Sequence, residues 1–225
     1  MLVLTGWLFV FCLINLPSRI PETPYQKVFN QTNESIIAIV VTSEDRQHSC
    51  LGTGCFINNK GLILTCGHLF NRKNSQAFPI KVILRTPGNN RFYCPAKLLS
   101  VDFDKDLALI QVHYIKATPY LRFASQEAVG QEVIVIGHPL GLGWTMTHGI
   151  VSSLRRKAPP LNDQIQIDAA VNHGNSGGPV LDVNGDILGV AVSIYGDIDA
   201  FTGNAFAVDL ISIREFLNKN KRLLK

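Results

Sequence analysis

Gly174-Asn175-Ser176-Gly177-Gly178-Pro179 sets a hydroxyl on a turn of small residues, where the backbone can come close to a bound carbonyl group. Glycine tolerates backbone angles that a Cβ forbids. The N–H groups of Gly174 and Ser176, with Asn175 between them, can therefore point into one hollow and hold a developing oxyanion. Ser176 is then the candidate nucleophile, and the chemistry is acyl transfer. The plainer reading of this string is a glycine-rich hairpin turn with an incidental serine, and only partner residues displace it.

A serine nucleophile needs a base, and the base needs an orienting group. The histidines are His48, His68, His113, His138, His148 and His173, and all of them precede Ser176. Gly-x-Ser-x-Gly also spells the nucleophile elbow of α/β-hydrolases, but there the acid and then the histidine follow the serine. The base here must come from upstream, in the chain order His, Asp, Ser. Leu62-Ile63-Leu64-Thr65-Cys66-Gly67-His68 is an apolar run that ends in small residues and an imidazole. A neutral imidazole with a pKa of about 6.5 can take the serine proton and return it to a leaving amine, so His68 is the candidate general base. Asp104-Lys105-Asp106-Leu107-Ala108-Leu109-Ile110 puts a carboxylate directly before an apolar strand. Asp106 adjoins that strand and is the candidate for orienting the imidazole, whereas Asp102 and Asp104 read as loop caps or solvated charges.

With these residues in place, the chain resembles the Deg/HtrA group of trypsin-like serine peptidases. The resemblance rests on Gly52-Thr53-Gly54, on Asp106 to Ile110, on Ile136-Gly137-His138-Pro139-Leu140-Gly141-Leu142-Gly143 and on Gly149-Ile150-Val151-Ser152-Ser153. It continues through Ile167-Asp168-Ala169-Ala170-Val171-Asn172 into the serine motif and on to Asn204-Ala205-Phe206-Ala207-Val208. It covers residues 36 to 218 and implies a serine endopeptidase that acts on unfolded or damaged polypeptides, needs no cofactor and assembles as a homo-oligomer, commonly a trimer. Members often carry PDZ domains after the protease; here a short basic tail follows, so PDZ regulation is not expected. Cys66 stands where an asparagine or small residue is usual, and His173 where proline is frequent. The residue before the nucleophile is an aspartate in digestive relatives, where it pairs with a newly cut N-terminus. Asn175 is neutral, so no such ion pair is expected. The residue six before the nucleophile lies at the base of the primary specificity pocket in this fold, and here it is Ala170. With Val171, Ile194 and Tyr195 as further lining, the pocket should be apolar and shallow, without a counter-charge for lysine or arginine.

The elements that must position these groups are mostly short strands. At 225 residues and 46% hydrophobic, the chain can bury one large core or two small barrels. Strands are expected at Ile36–Thr42, Gly54–Ile57, Leu62–Thr65, Ile80–Leu84, Ala96–Ser100 and Leu107–Val112. A second set is expected at Glu132–Ile136, Thr145–Ser153, Gln164–Ile167, Pro179–Leu181, Ile187–Ser193 and Asn204–Val208. The fold class is therefore all-β: two six-stranded antiparallel β-barrels of the chymotrypsin type, about 36–118 and 119–209, with a short C-terminal helix at 210–218 and a basic tail at 219–225. His68 and Asp106 belong to the first barrel and Ser176 to the second, so the site lies between them.

Residues 1–17 are almost wholly apolar up to Pro17 and read as a secretory signal or membrane anchor, followed by a linker at 18–35. Cys50, Cys55, Cys66 and Cys94 allow two disulfides or four thiols. A Cys66 nucleophile is less apt than Ser176, because it lacks the oxyanion turn. There is no paired-cysteine metal spacing, so no metal is expected. The formal net charge of +4 is modest, and the Arg155-Arg156-Lys157 cluster reads as a solvated surface. No groove-reading or aromatic pattern points to nucleic acid. The rival class is a non-catalytic protease-like module that holds peptides in the cleft, and within the peptidase reading a processing enzyme with one narrow substrate stands beside protein quality control.

Overall fold

The computed structural model describes residues 21–42, 49–70, 79–86, 90–113, 117–138, 143–156, 164–194 and 203–224. The apolar leader and Lys157 lie outside them. The first barrel is built from β1 (Ile36–Thr42), β2 (Ser49–Phe56), β3 (Leu62–Thr65), β4 (Ile80–Thr86), β5 (Asn90–Asp102) and β6 (Leu107–Val112). It closes in the order β1-β2-β3-β6-β5-β4, with antiparallel neighbours throughout. The second contains β7 (Glu132–Gly137), β8 (Thr145–Arg156), β9 (Gln164–Ile167), β10 (Pro179–Leu181), β11 (Ile187–Ile194) and β12 (Ala205–Val208), closing as β10-β11-β12-β9-β8-β7. Closure leaves neither sheet a free edge. The expected pair of six-stranded barrels is thus the architecture found, with several strands longer than the apolar runs alone indicate.

Side-chain alternation explains why the inner strands read as unbroken apolar runs. Along β3, Ile63 packs inside the first barrel, while Leu62 and Leu64 face a separate cluster shared with the second. In β6, Ala108, Ile110 and Val112 point inward and Leu107 and Leu109 to the shared cluster; β7 does the same with Val133 and Val135 against Ile134 and Ile136. Both faces of these strands are buried, so successive residues on both must be apolar. The two barrels are thereby joined by a continuous apolar seam, which fixes β3 and β6 relative to the second barrel.

Two helices complete the described chain. Helix α2 (Leu210–Lys219) starts at Asp209, whose carboxylate accepts the Ser212 N–H at 2.7 Å, and it buries Ile213, Phe216 and Leu217 in the seam. The segment read as a linker from sequence contains helix α1 (Pro24–Thr32), followed by a turn of 3-10 helix at Asn33–Ser35. A reciprocal cap starts α1: the Thr23 hydroxyl accepts the Gln26 N–H and the Gln26 amide oxygen accepts the Thr23 N–H, with Pro24 in the first turn. Val28 is buried, and the Tyr25 hydroxyl donates to Glu132 of β7 at 2.7 Å, so α1 is docked on the second barrel. Among the described residues no helix is long and apolar enough to cross a membrane.

Candidate active site

His68 follows the end of β3, and Asp106 immediately precedes β6, its antiparallel neighbour. The pairing of Thr65 with Ala108 brings the two side chains to one end of the first barrel. Asp106 Oδ2 lies 2.8 Å from His68 Nδ1, and its Oδ1 accepts the His68 backbone N–H at 2.6 Å. One carboxylate therefore fixes both ring and backbone of the same histidine. The His68 side chain is 43% exposed and that of Asp106 17%. This leaves the imidazole accessible while its partner is mostly shielded from water.

The loop that delivers Asp106 is shaped by Asp102, whose Oδ1 accepts the N–H groups of Asp104 and Lys105 at 3.1 and 3.0 Å. That is the capping role expected of Asp102. Asp106 itself has φ +54°, the left-handed region that costs an ordinary L-residue about 1–2 kcal/mol and that aspartate tolerates better than most. The backbone there is bent where the carboxylate must turn back onto His68.

Ser176 lies in the turn between β9 and β10. Gly174 and Gly177 adopt φ +97° and +84°, so the glycines are needed for conformation. A Cβ on Gly177 would also run into the Thr65 hydroxyl and the Thr53 carbonyl of the first barrel. The serine turn is thus pressed against the strand ends that carry His68. Among the described residues, neither the Gly174 nor the Ser176 N–H is given to an acceptor, as an oxyanion site requires. Asn175 is buried, and its amide oxygen has no hydrogen-bond partner among the described residues.

Ser176 is 8% exposed, and its hydroxyl donates to the Val192 carbonyl of β11 at 2.7 Å. His68 Nε2 faces Cys66 Sγ at 3.6 Å. The His–Asp half of the expected triad is hydrogen-bonded; the Ser–His half is not made in this conformation. Neither the Val192 acceptor nor the Cys66 contact was anticipated. Val192 reads as an ordinary strand residue, and its function here lies in its backbone carbonyl.

Of the residues expected to line the specificity pocket, the structure describes Ala170, Val171 and Ile194. Ala170 is half-buried, and its carbonyl accepts the Thr147 hydroxyl at 2.8 Å. Val171 does not line a pocket: it is fully buried in the second barrel's core and has no surface left to offer a ligand. Ile194 is the last residue of β11, and Tyr195 lies outside the described residues. Cys55, Cys66 and Cys94 are buried free thiols, so the two-disulfide option is not realised. Burial pushes the Cys55 and Cys94 thiols up from their ordinary values, away from nucleophilic thiolate. No cluster of three or more His, Cys, Asp or Glu able to hold a metal occurs among the described residues.

The chain matches the trypsin-like peptidase domain over residues 52–190. It is 37% identical over 208 residues to a probable periplasmic serine endoprotease, DegP-like, of Bartonella henselae, a match that covers 91% of this chain and 40% of the relative. It is 32% identical over 172 residues to the chloroplastic Protease Do-like 1 of Arabidopsis thaliana, covering 72% of this chain and 37% of that protein. The chain thus spans less than half the length of these relatives. Among solved structures, the HtrA-type protease AlgW with a tripeptide superposes with a TM-score of 0.73 at 26% identity, covering 86% of this chain and 62% of AlgW. Deg5 superposes at 0.69, also at 26% identity, over 85% of this chain and 91% of Deg5. The domain match, the identity sustained across most of the chain and the shared fold place the chain in the trypsin-like peptidase family, among relatives of the Deg/HtrA type.

Proposed function

We propose that the chain is a serine endopeptidase that cleaves polypeptides through an acyl-enzyme. The observation that carries this reading is the doubly bonded His68–Asp106 pair beside a serine turn with two uncommitted N–H groups. Substrate binding turns the Ser176 hydroxyl from the Val192 carbonyl to His68 Nε2. That exchanges one hydrogen bond for another, each worth about 1 kcal/mol net. As Ser176 Oγ bonds to the scissile carbonyl carbon, its proton passes to His68 and the carbonyl oxygen gathers negative charge. The N–H groups of Gly174 and Ser176 hold that charge, and Asp106 stabilises the imidazolium. His68 then protonates the leaving amine, and water repeats the sequence to release the acid.

Unfolded or damaged chains are the substrate class that the Deg/HtrA resemblance favours, and a homotrimer is the matching assembly. The named relatives are periplasmic or chloroplastic, and export directed by residues 1–17 accords with them.

A second reading has its own observation. The Ser176 hydroxyl rests on Val192 rather than on His68, which is what a peptide-holding module without turnover would display. A fluorophosphonate probe separates the two, since labelling requires an activated serine. Labelling of the wild type, abolished in Ser176→Ala and His68→Ala, is expected. No labelling of a folded wild type that still retains unfolded peptides would favour the module.

A further inference from the structure

We infer that Thr53 is a positioning residue for the oxyanion site, pinning the serine turn of the second barrel to the strand of the first that leads to the catalytic base. The inference rests on the serine peptidase reading above. Thr53 lies in β2, is fully buried and engages every polar group it owns. Its N–H donates to the Ser176 carbonyl at 2.8 Å. Its hydroxyl donates to the Gly174 carbonyl at 2.6 Å and accepts the His138 N–H at 3.0 Å. Its carbonyl accepts the Thr65 hydroxyl at 2.7 Å, at the end of β3 just before Cys66-Gly67-His68.

These bonds have a shared geometric effect. The two anchored carbonyls, of Gly174 and Ser176, lie directly after the two N–H groups that are to hold the oxyanion, each on the same residue as its donor. Gly174 sits at φ +97° with no side chain to restrain it, so its peptide planes keep their orientation only through what they bond. The Thr53 hydroxyl bonds its carbonyl, and the N–H at the other end of that peptide, on Asn175, donates to the Asn172 carbonyl at 2.9 Å within the turn itself, so Thr53 is what ties the plane to the first barrel. The flanking residues fit the same reading: a Cβ at Gly52 would collide with Leu69 and come within 3.1 Å of the Ser176 carbonyl, so β2 must be bare there to approach the turn.

Valine keeps the shape of threonine and removes the hydroxyl. It would strand two buried groups, the Gly174 carbonyl and the His138 N–H, and leave the Gly174–Asn175 peptide held at its N–H end alone, by the bond from Asn175 to the Asn172 carbonyl, so that the plane can tilt. The reacting residues would all remain, but the oxyanion donors would be misaimed. Misplacement of this kind costs up to about 10²-fold, somewhat less than outright removal of an oxyanion donor.

The test is steady-state hydrolysis of a quenched fluorescent peptide by the wild type, Thr53→Val, Thr53→Ser and Ser176→Ala, with thermal midpoints measured in parallel. For folded Thr53→Val, kcat should fall about 10- to 100-fold with KM within about twofold of wild type, and Thr53→Ser should restore kcat to within about threefold. A merely structural role would lower the midpoint without this split in kcat and KM, and serine would give no selective rescue. A folded Thr53→Val with undiminished kcat overturns the inference, as does equal impairment of Thr53→Ser. Should Thr53→Val not fold, Thr53→Ala is read by the same criteria; if neither folds, the hydroxyl is a folding requirement and the positioning role is refuted. A folded wild type without Ser176-dependent hydrolysis refutes the serine peptidase reading itself and the inference with it.

Discussion

Replacing Asp106 by asparagine separates the chemistry of the carboxylate from its structural duties. Asparagine is nearly isosteric and, like aspartate, tolerates the φ of +54° found there, so the backbone incurs little new strain. The amide must then choose which end faces which partner. The His68 backbone N–H, 2.6 Å from Oδ1, can only donate, so it claims the amide oxygen. The NH₂ is left facing His68 Nδ1, 2.8 Å from the Oδ2 position, and demands an acceptor there. His68 is thereby forced into the tautomer that carries its proton on Nε2, where it cannot take one from Ser176. The stabilising charge behind the imidazolium disappears as well. The two losses together place the fall in kcat on the order of 10⁴-fold, with KM nearly unchanged because no substrate contact is removed. Peptide hydrolysis, read beside a thermal melt that stays close to wild type, measures this. A folded Asp106→Asn retaining more than about a tenth of the wild-type kcat would show that the bonded pair is not the one that activates Ser176.

Two further expectations concern docking and selectivity. The Tyr25 hydroxyl, and after it His148, hold the Glu132 carboxyl below its ordinary value, while Glu132 holds the Tyr25 phenol above its own. A depressed carboxylate stabilises the folded arrangement above its unfolded pKa, and that contribution is lost as pH falls through the folded one; a raised phenol stabilises below its unfolded pKa and loses this as pH rises. Hydrogen exchange of the α1 amides, referenced to β6, should show most protection between about pH 4.3 and 10, with Tyr25→Phe flattening the profile; invariance between pH 3 and 8 in the wild type would contradict it. In a randomised peptide library, Val, Ala, Ile or Leu should precede the cleaved bond, each methylene buried beside Ala170 adding about 0.8 kcal/mol until the space is filled, whereas dominance of Lys or Arg would refute an apolar pocket.

The parts of the molecule legible in the sequence are those whose side chains do the work themselves. A candidate nucleophile between glycines, an imidazole after one buried strand and a carboxylate before the next are chemical types at diagnostic places, and the apolar runs of β3, β6 and β7 are long because both faces are covered. Helix α1 was also spelled out, in Thr23-Pro24-Tyr25-Gln26, but a short helix with one buried turn has little apolar periodicity to reveal it. Val171 misled for the opposite reason: adjacency in sequence to Ala170 does not put two strand-like residues on one face, and alternation sends the valine into the core. Val192 and Thr53 act chiefly through main-chain groups or through one hydroxyl joining both barrels, and such bonds depend on two segments more than a hundred residues apart in the case of Thr53 and Gly174. Composition and period carry no record of them. The division matters for the chemistry: the sequence names the candidate reacting groups, whereas their alignment across the two barrels is set by backbone carbonyls and N–H groups and by the Thr53 hydroxyl, in places only this fold brings together.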